Sequence, residues 1–252
     1  MDQAMQLRSL GSTGIRISVL SFGAGPVSAL MTGTDTKRQL QVVRRALEAG
    51  INWFDTAAGY GEGQSERNLG AALRRLGADS DVHVATKVRL LPPQLDDIRQ
   101  AVRDSVTDSL ERLGLERVTL LQLHNAITAR RGDEPTSITP NDILDTGGVL
   151  QAFQDLQSDG LVEHLGLTGI GRPEALSEVI RSGEFATIQV PYNLMNPSAG
   201  QSVPADFGEA DYGNVIGEGA RLQMGVLAIR VYAGGALAGR PPGPHTYKTK
   251  FF

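Results

Sequence analysis

INWFDTAAGY (residues 51–60), VHVATK (82–87) and VTLLQLH (118–124) decide how this chain folds. Each opens as a short apolar run with β-branched or aromatic residues, and each ends on ionisable side chains. Such runs are strand-length, and what separates them is helical in period. Ser65 can cap a helix carrying Leu69, Ala72, Leu73 and Leu76, which Gly77 ends. A longer helix from about Asp96 to Leu113 puts Ile98, Val102, Val106, Leu110 and Leu113 on one face.

The same rhythm continues outward in both directions. Upstream, Ile15–Phe22 reads as a strand and Thr34–Ala49 as a helix stopped at Gly50, before the strand Ile51–Phe54. His83–Thr86 and Val118–Leu123 are the next strands. Downstream come a helix at Val149–Gln157, a strand at Val162–Leu167, and a helix at Pro173–Arg181 with proline in its first turn. A strand at Ala186–Val190, a short helix at Val215–Leu222 and a strand at Val226–Val231 complete the series. Seven strands with six intervening helices imply a parallel α/β sheet. The polar stretches Ala126–Asp145 and Asn193–Gly213 read as insertions after strands, so residues 1–252 are expected to form one domain.

Parallel strands can lie in an open doubly wound sheet or close into a barrel. FGAGPVS (22–28) offers Gly23 and Gly25 as a partial dinucleotide fingerprint. Ser28 stands where the third glycine belongs, however, and Pro26 obstructs immediate helix entry. In a barrel the carboxyl ends of the strands converge on one mouth. Asp55, Tyr60, Lys87 and His124 would then meet there. Singly, each has an ordinary explanation as a turn, loop, solvated or buried residue; together they fit one task. A free tyrosine, with a pKa near 10, exchanges protons poorly at neutral pH. The Lys87 ammonium would favour phenolate, Asp55 would hold the lysine charged, and His124 would bond the oxygen of a carbonyl attacked by hydride.

Composition narrows the alternatives. The chain has 252 residues, 40% apolar and 21% charged, an ordinary globular composition at a length that suits two small domains or one α/β barrel. A net charge of −4 without a basic run gives no reason to expect nucleic acid. The absence of cysteine excludes disulfides and thiolate chemistry, and the scattered His83, His124, His164 and His245 form no metal motif. MDQAMQLRSL (1–10) has no signal-peptide core, and no stretch approaches the roughly 18 apolar residues of a membrane span. A cytoplasmic protein with a small-molecule partner and no membrane contact is expected; the sequence leaves oligomeric state open.

D55-T-A-x-x-Y60-G, V-A-T-K87 and S-L-E-R-L-G-L-x-x-V-T-L-L-Q-L-H124 resemble the signatures of the aldo-keto reductase family. So do the opening L-G-S-T-G-I-R-I-S-V-L-S-F-G and the helix start G-x-S65-E66-R-x-L-G. The likeness runs from about Leu7 to Gly239. It implies a (β/α)8 TIM-type barrel that binds NADPH or NADH without a Rossmann domain, NADP(H) being the expected cofactor. Tyr60 would be the proton donor, with Asp55, Lys87 and His124 completing a tetrad on a carbonyl or alcohol substrate. The resemblance also implies cofactor contacts at Gly23, Ala24 and Asp55. Thr168 and Gly169 occupy the places of a family Ser-Asn pair that grips the nicotinamide carboxamide, and Gln189 matches a glutamine with the same role. Ile229 stands where many relatives stack an aromatic ring on the nicotinamide. Arg230, Ala233 and Gly235 match a loop over the pyrophosphate, in a version similar to that of relatives acting as sugar or aldose dehydrogenases. A second reading is a cofactor-binding regulatory relative with little turnover.

The sequence stops at GRPPGPHTYKTKFF (239–252), soon after the seventh strand. A complete barrel needs eight strands. The eighth β/α unit is therefore expected to be missing from these residues and to follow Phe252 in the natural protein. Without it, cofactor binding is expected to be weak and poorly selective for the 2′-phosphate.

Overall fold

The structure, a computed structural model, describes residues 4–239. It opens with an antiparallel hairpin, β1 (Leu7–Ser9) and β2 (Arg16–Ser18). Seven parallel strands follow in one sheet: β3 (Phe22–Gly23), β4 (Trp53–Asp55), β5 (His83–Val88), β6 (Val118–Leu123), β7 (Val162–Thr168), β8 (Thr187–Pro191) and β9 (Gly225–Ile229). The helices α1 (Thr36–Glu48), α2 (Gln64–Leu76), α3 (Ile98–Leu113), α4 (Pro140–Leu144), α5 (Val149–Ser158), α6 (Pro173–Arg181) and α7 (Val215–Arg221) fill the connections.

Every strand in the sheet neighbours the next one in sequence, with no reversal of order. A doubly wound sheet needs such a reversal, so the Rossmann alternative is excluded. The sheet curls far enough for side chains of β4, β6 and β8 to meet: Asp55 accepts from Gln122 and from Gln189, both at 3.0 Å. This is the wall of a (β/α)8 TIM-type barrel with seven of its strands among the described residues. No eighth strand of this sheet lies among the described residues, which end at Gly239, and the expected continuation past Phe252 lies outside them.

Three sequence expectations need correction. Ile15–Phe22 is not one strand: Arg16–Ser18 turns back to pair with Leu7–Ser9, and only Phe22–Gly23 joins the sheet. Ser65 does not cap its helix, because Gly63, at φ 81°, is the N-cap and makes no side-chain bond there. The Ala126–Asp145 insertion is also more ordered than a loop. It contains α4, and Ile127 bridges both Ile138 and Gly171.

The strands sort their residues by alternation. Phe54, Val84, Val88, Leu121, Leu123, Leu165, Leu167, Ile188 and Val190 face outward into the large core shared with the helices. The inward positions form layers. Trp53, Ala85, Leu120 and Leu227 cluster with Leu10 and Ile17 of the hairpin, which covers the amino-terminal end of the strands. The hairpin is held there by the Ser12 amide, which donates to the Gln223 carbonyl at 2.9 Å. Two residues further along β4, β5 and β6 the interior turns polar with Asp55, Lys87 and Gln122.

Candidate active site

Asp55 ends β4, and its neighbour Lys87 lies one residue before the end of β5. Both point inward because Trp53 and Ala85, two residues earlier, do. The Lys87 side chain is fully buried, yet its three N–H groups are all used. One donates to Asp55 Oδ1, one to the Thr56 carbonyl at 2.7 Å, and one to Tyr60 Oη at 3.4 Å. Burial, the largest single influence, pulls the Lys87 pKa down; Asp55 and then Tyr60 together outweigh it and hold the amine above its ordinary value. Lys87 therefore stays an ammonium ion at neutral pH.

Tyr60 sits on the turn after β4. Its backbone amide donates to Ala57 at 3.1 Å and its carbonyl accepts from Ser65 at 3.2 Å. The ring is half-buried beside Gly25, where an added Cβ would make an ordinary contact with it at 3.7 Å. His124 follows β6 directly, and its ring meets Tyr60 edge-on at 5.8 Å and 85°. Burial first, then the charges of Lys87 and Arg89, push the His124 imidazole far below its ordinary value. It is neutral, with one N–H to donate. The four residues singled out in the sequence thus stand together at the carboxyl end of the sheet.

Hydroxyls behind the site fix the turn that carries Tyr60. The Ser65 hydroxyl pairs with that of Thr56 at 2.9 Å and donates to the Ala24 carbonyl at 2.8 Å. On the outer side of β5, Thr86 donates to buried Glu66 at 2.5 Å, and Arg112 donates to the other oxygen of Glu66 at 2.6 Å. Sequence reasoning missed both groups, and it missed Gln122. The signal for Gln122 was present: it is a lone amide in the apolar VTLLQL, two residues before His124 and so on the same face.

The expected cofactor positions divide. Thr168 is 2% exposed and its hydroxyl donates to the Leu123 carbonyl at 2.9 Å, which leaves oxygen lone pairs free to accept. Gln189 gives its amide nitrogen to Asp55, so its oxygen too is an acceptor. Two acceptors suit the N–H groups of a carboxamide. Gly169 is different, since its amide already donates to the Gln189 carbonyl at 2.8 Å and a Cβ there would press on Ile188. Ala24 faces the core with its amide bonded to the Asp55 carbonyl at 2.8 Å, whereas Gly23 opens onto free space. Ile229 ends β9 and is half-buried. Beyond it, Arg230, Ala233 and Gly235 lie on a tight turn with φ of 56°, 47° and 102°.

The chain is similar to known proteins over most of its length. The profile of the Aldo/keto reductase family matches residues 19–240. L-Galactose dehydrogenase of Arabidopsis thaliana is 35% identical over 66% of this chain and 49% of its own length. D-threo-Aldose 1-dehydrogenase of a Pseudomonas species is 30% identical over 92% of this chain and 70% of its own. This chain therefore spans about half of the first relative. An aldo-keto reductase from Bacillus halodurans, solved in its holo form, superposes with a TM-score of 0.71 at 25% identity, covering 95% of this chain and 71% of that one.

Proposed function

The chain belongs to the aldo/keto reductase family, and on that premise we propose that it is an NAD(P)(H)-dependent oxidoreductase interconverting a carbonyl compound and its alcohol. The substrate class we favour is an aldose or related aldehyde, the class that the names of the two dehydrogenase relatives indicate. The observation that carries the reading is the hydrogen-bonded line Asp55–Lys87–Tyr60 with His124 against the tyrosine ring.

A bound nicotinamide dinucleotide supplies or takes up the hydride. Thr168 and Gln189 would hold its carboxamide through their acceptor oxygens, with Gly23, Ile229 and the turn from Arg230 to Gly235 around it; NADP(H) is the preferred form. In the reductive direction Tyr60 Oη gives its proton to the carbonyl oxygen, and in the oxidative direction it takes the alcohol proton. Lys87 stabilises the phenolate left behind, since an ammonium ion in a dry site acts far more strongly than in water. Asp55 keeps that ammonium charged. Neutral His124 donates to the substrate oxygen and fixes its approach.

Tyr60→Phe keeps the ring and removes the proton. Its kcat with an activated aldehyde and NADPH should fall at least about 100-fold, the scale of a general acid, while cofactor fluorescence titrations stay unchanged. Full turnover in that variant would exclude the mechanism.

A further inference from the structure

Gln122 is an anomaly in the barrel interior. It is wholly buried, it stands one layer above apolar Leu120, and its side-chain oxygen has no hydrogen-bond partner. The amide nitrogen faces Asp55, whose carboxyl oxygen accepts from it, and the oxygen points away. An unpaired buried carbonyl costs stability, and an aliphatic side chain would fill the space without that cost. What the glutamine provides in return is its 3.0 Å bond to Asp55 Oδ2. Gly166 makes room for it on β7, where an added Cβ would lie 3.3 Å from Gln122 Cγ and collide with the Thr187 hydroxyl.

We propose that Gln122 is a positioning residue for the Asp55–Lys87 pair, and through it for Tyr60. With Gln189 it clamps Asp55 Oδ2 from two sides, which turns Oδ1 toward the Lys87 ammonium. Gln189 stands at the mouth, where its oxygen would also hold the cofactor carboxamide, whereas Gln122 lies below it, wholly buried, with Asp55 as its hydrogen-bond partner. The charged and titratable groups around this cluster are Asp55, Lys87 and Tyr60 themselves, His124 and Arg89 at the rim, and Glu66 with Arg112 behind Thr86. The kinetic part of the proposal rests on the oxidoreductase reading above; the clamp itself does not.

Gln122→Met tests it, being close in volume and without a donor. Three results are expected together. The melting temperature should change little, because losing the bond to Asp55 is offset by removing an orphaned polar atom. The kcat falls roughly tenfold, the scale of one lost hydrogen bond to a charged group, with KM unchanged, since Gln122 is buried away from the mouth. In nitrogen-15 NMR, the Lys87 ammonium protons exchange with water roughly tenfold faster or more, because Asp55 can now swing away. Gln122→Glu adds a signature that packing alone cannot produce. As an acid it donates to Asp55 only while protonated, so its activity should be lost as pH rises. A fall in kcat that merely follows a fall in melting temperature, or unaltered ammonium exchange, would overturn the assignment. The exchange measurement needs no turnover, so it decides the clamp even if Tyr60→Phe were to remove the proposed chemistry.

Discussion

Lys87 holds three acceptors with three protons, and none of its side chain reaches solvent. Lys87→Met keeps the volume and deletes the charge, leaving Asp55 a buried carboxylate without its cation. Alcohol oxidation should fall by at least roughly 100-fold, and whatever oxidative rate remains should climb toward alkaline pH, because Tyr60 must then lose its proton to solvent before it can act as the base. A residual profile parallel to that of the native protein would mean that the lysine does not act on Tyr60. The meeting of Asp55, Tyr60, Lys87 and His124 was legible in the sequence because strands that start apolar and end ionisable announce which end is the mouth. Gln122 was not, although it lies in the same quoted run. An amide within an apolar strand looks like noise until the carboxylate it bonds, on a strand two places away, is in view. Ser65 misled for a related reason: a hydroxyl near a helix start suggests a cap, but Thr56, just after β4, and Ala24, 41 residues away, had already claimed it.

At the scale of elements, α2 and α3 meet at Gly70, where an added Cβ would run into the Leu113 backbone. Alanine normally stabilises a helix interior over glycine by about 1 kcal/mol. Here the obstacle is main chain and cannot rotate away, so Gly70→Ala should instead cost about 1–3 kcal/mol, as overpacking does. Urea unfolding followed by circular dichroism measures the sign, and a more stable variant would show that the two helices can slide apart freely. Their approach matters to the site, because α2 carries Ser65 and Glu66 and α3 carries Arg112. Apart from α4, which lay in a stretch read as a loop, the helices were read correctly to within a few residues from apolar spacing. The hairpin was not: Ile15–Phe22 has strand composition throughout, and nothing local says that Arg16–Ser18 prefers Leu7–Ser9 to the sheet. The turn residues Gly11 and Gly14, both at positive φ, were the available hint.

For the whole molecule, the interior is layered from an apolar floor to a polar mouth. The floor depends on Leu10 and Ile17, which reach it from the hairpin, so the first residues of the chain stabilise a site they never touch. Leu10→Ala should cost about 2–5 kcal/mol, the range for truncating a buried leucine, and lower the denaturation midpoint while leaving KM for substrate unchanged. A matching loss of substrate affinity would show that floor and mouth are coupled rather than stacked. One further consequence is optical. The chain has a single tryptophan, Trp53, which is 1% exposed in that floor and two residues from Asp55 along the same strand. Two strand residues span roughly 6–7 Å, so the only indole lies within easy energy-transfer range of a reduced nicotinamide at the mouth. Its emission comes from one place and needs no correction for other tryptophans. Quenching with sensitised cofactor fluorescence would signal a ligand arriving above, whereas a red shift would signal water entering from below, and one spectrum would separate occupancy from unfolding.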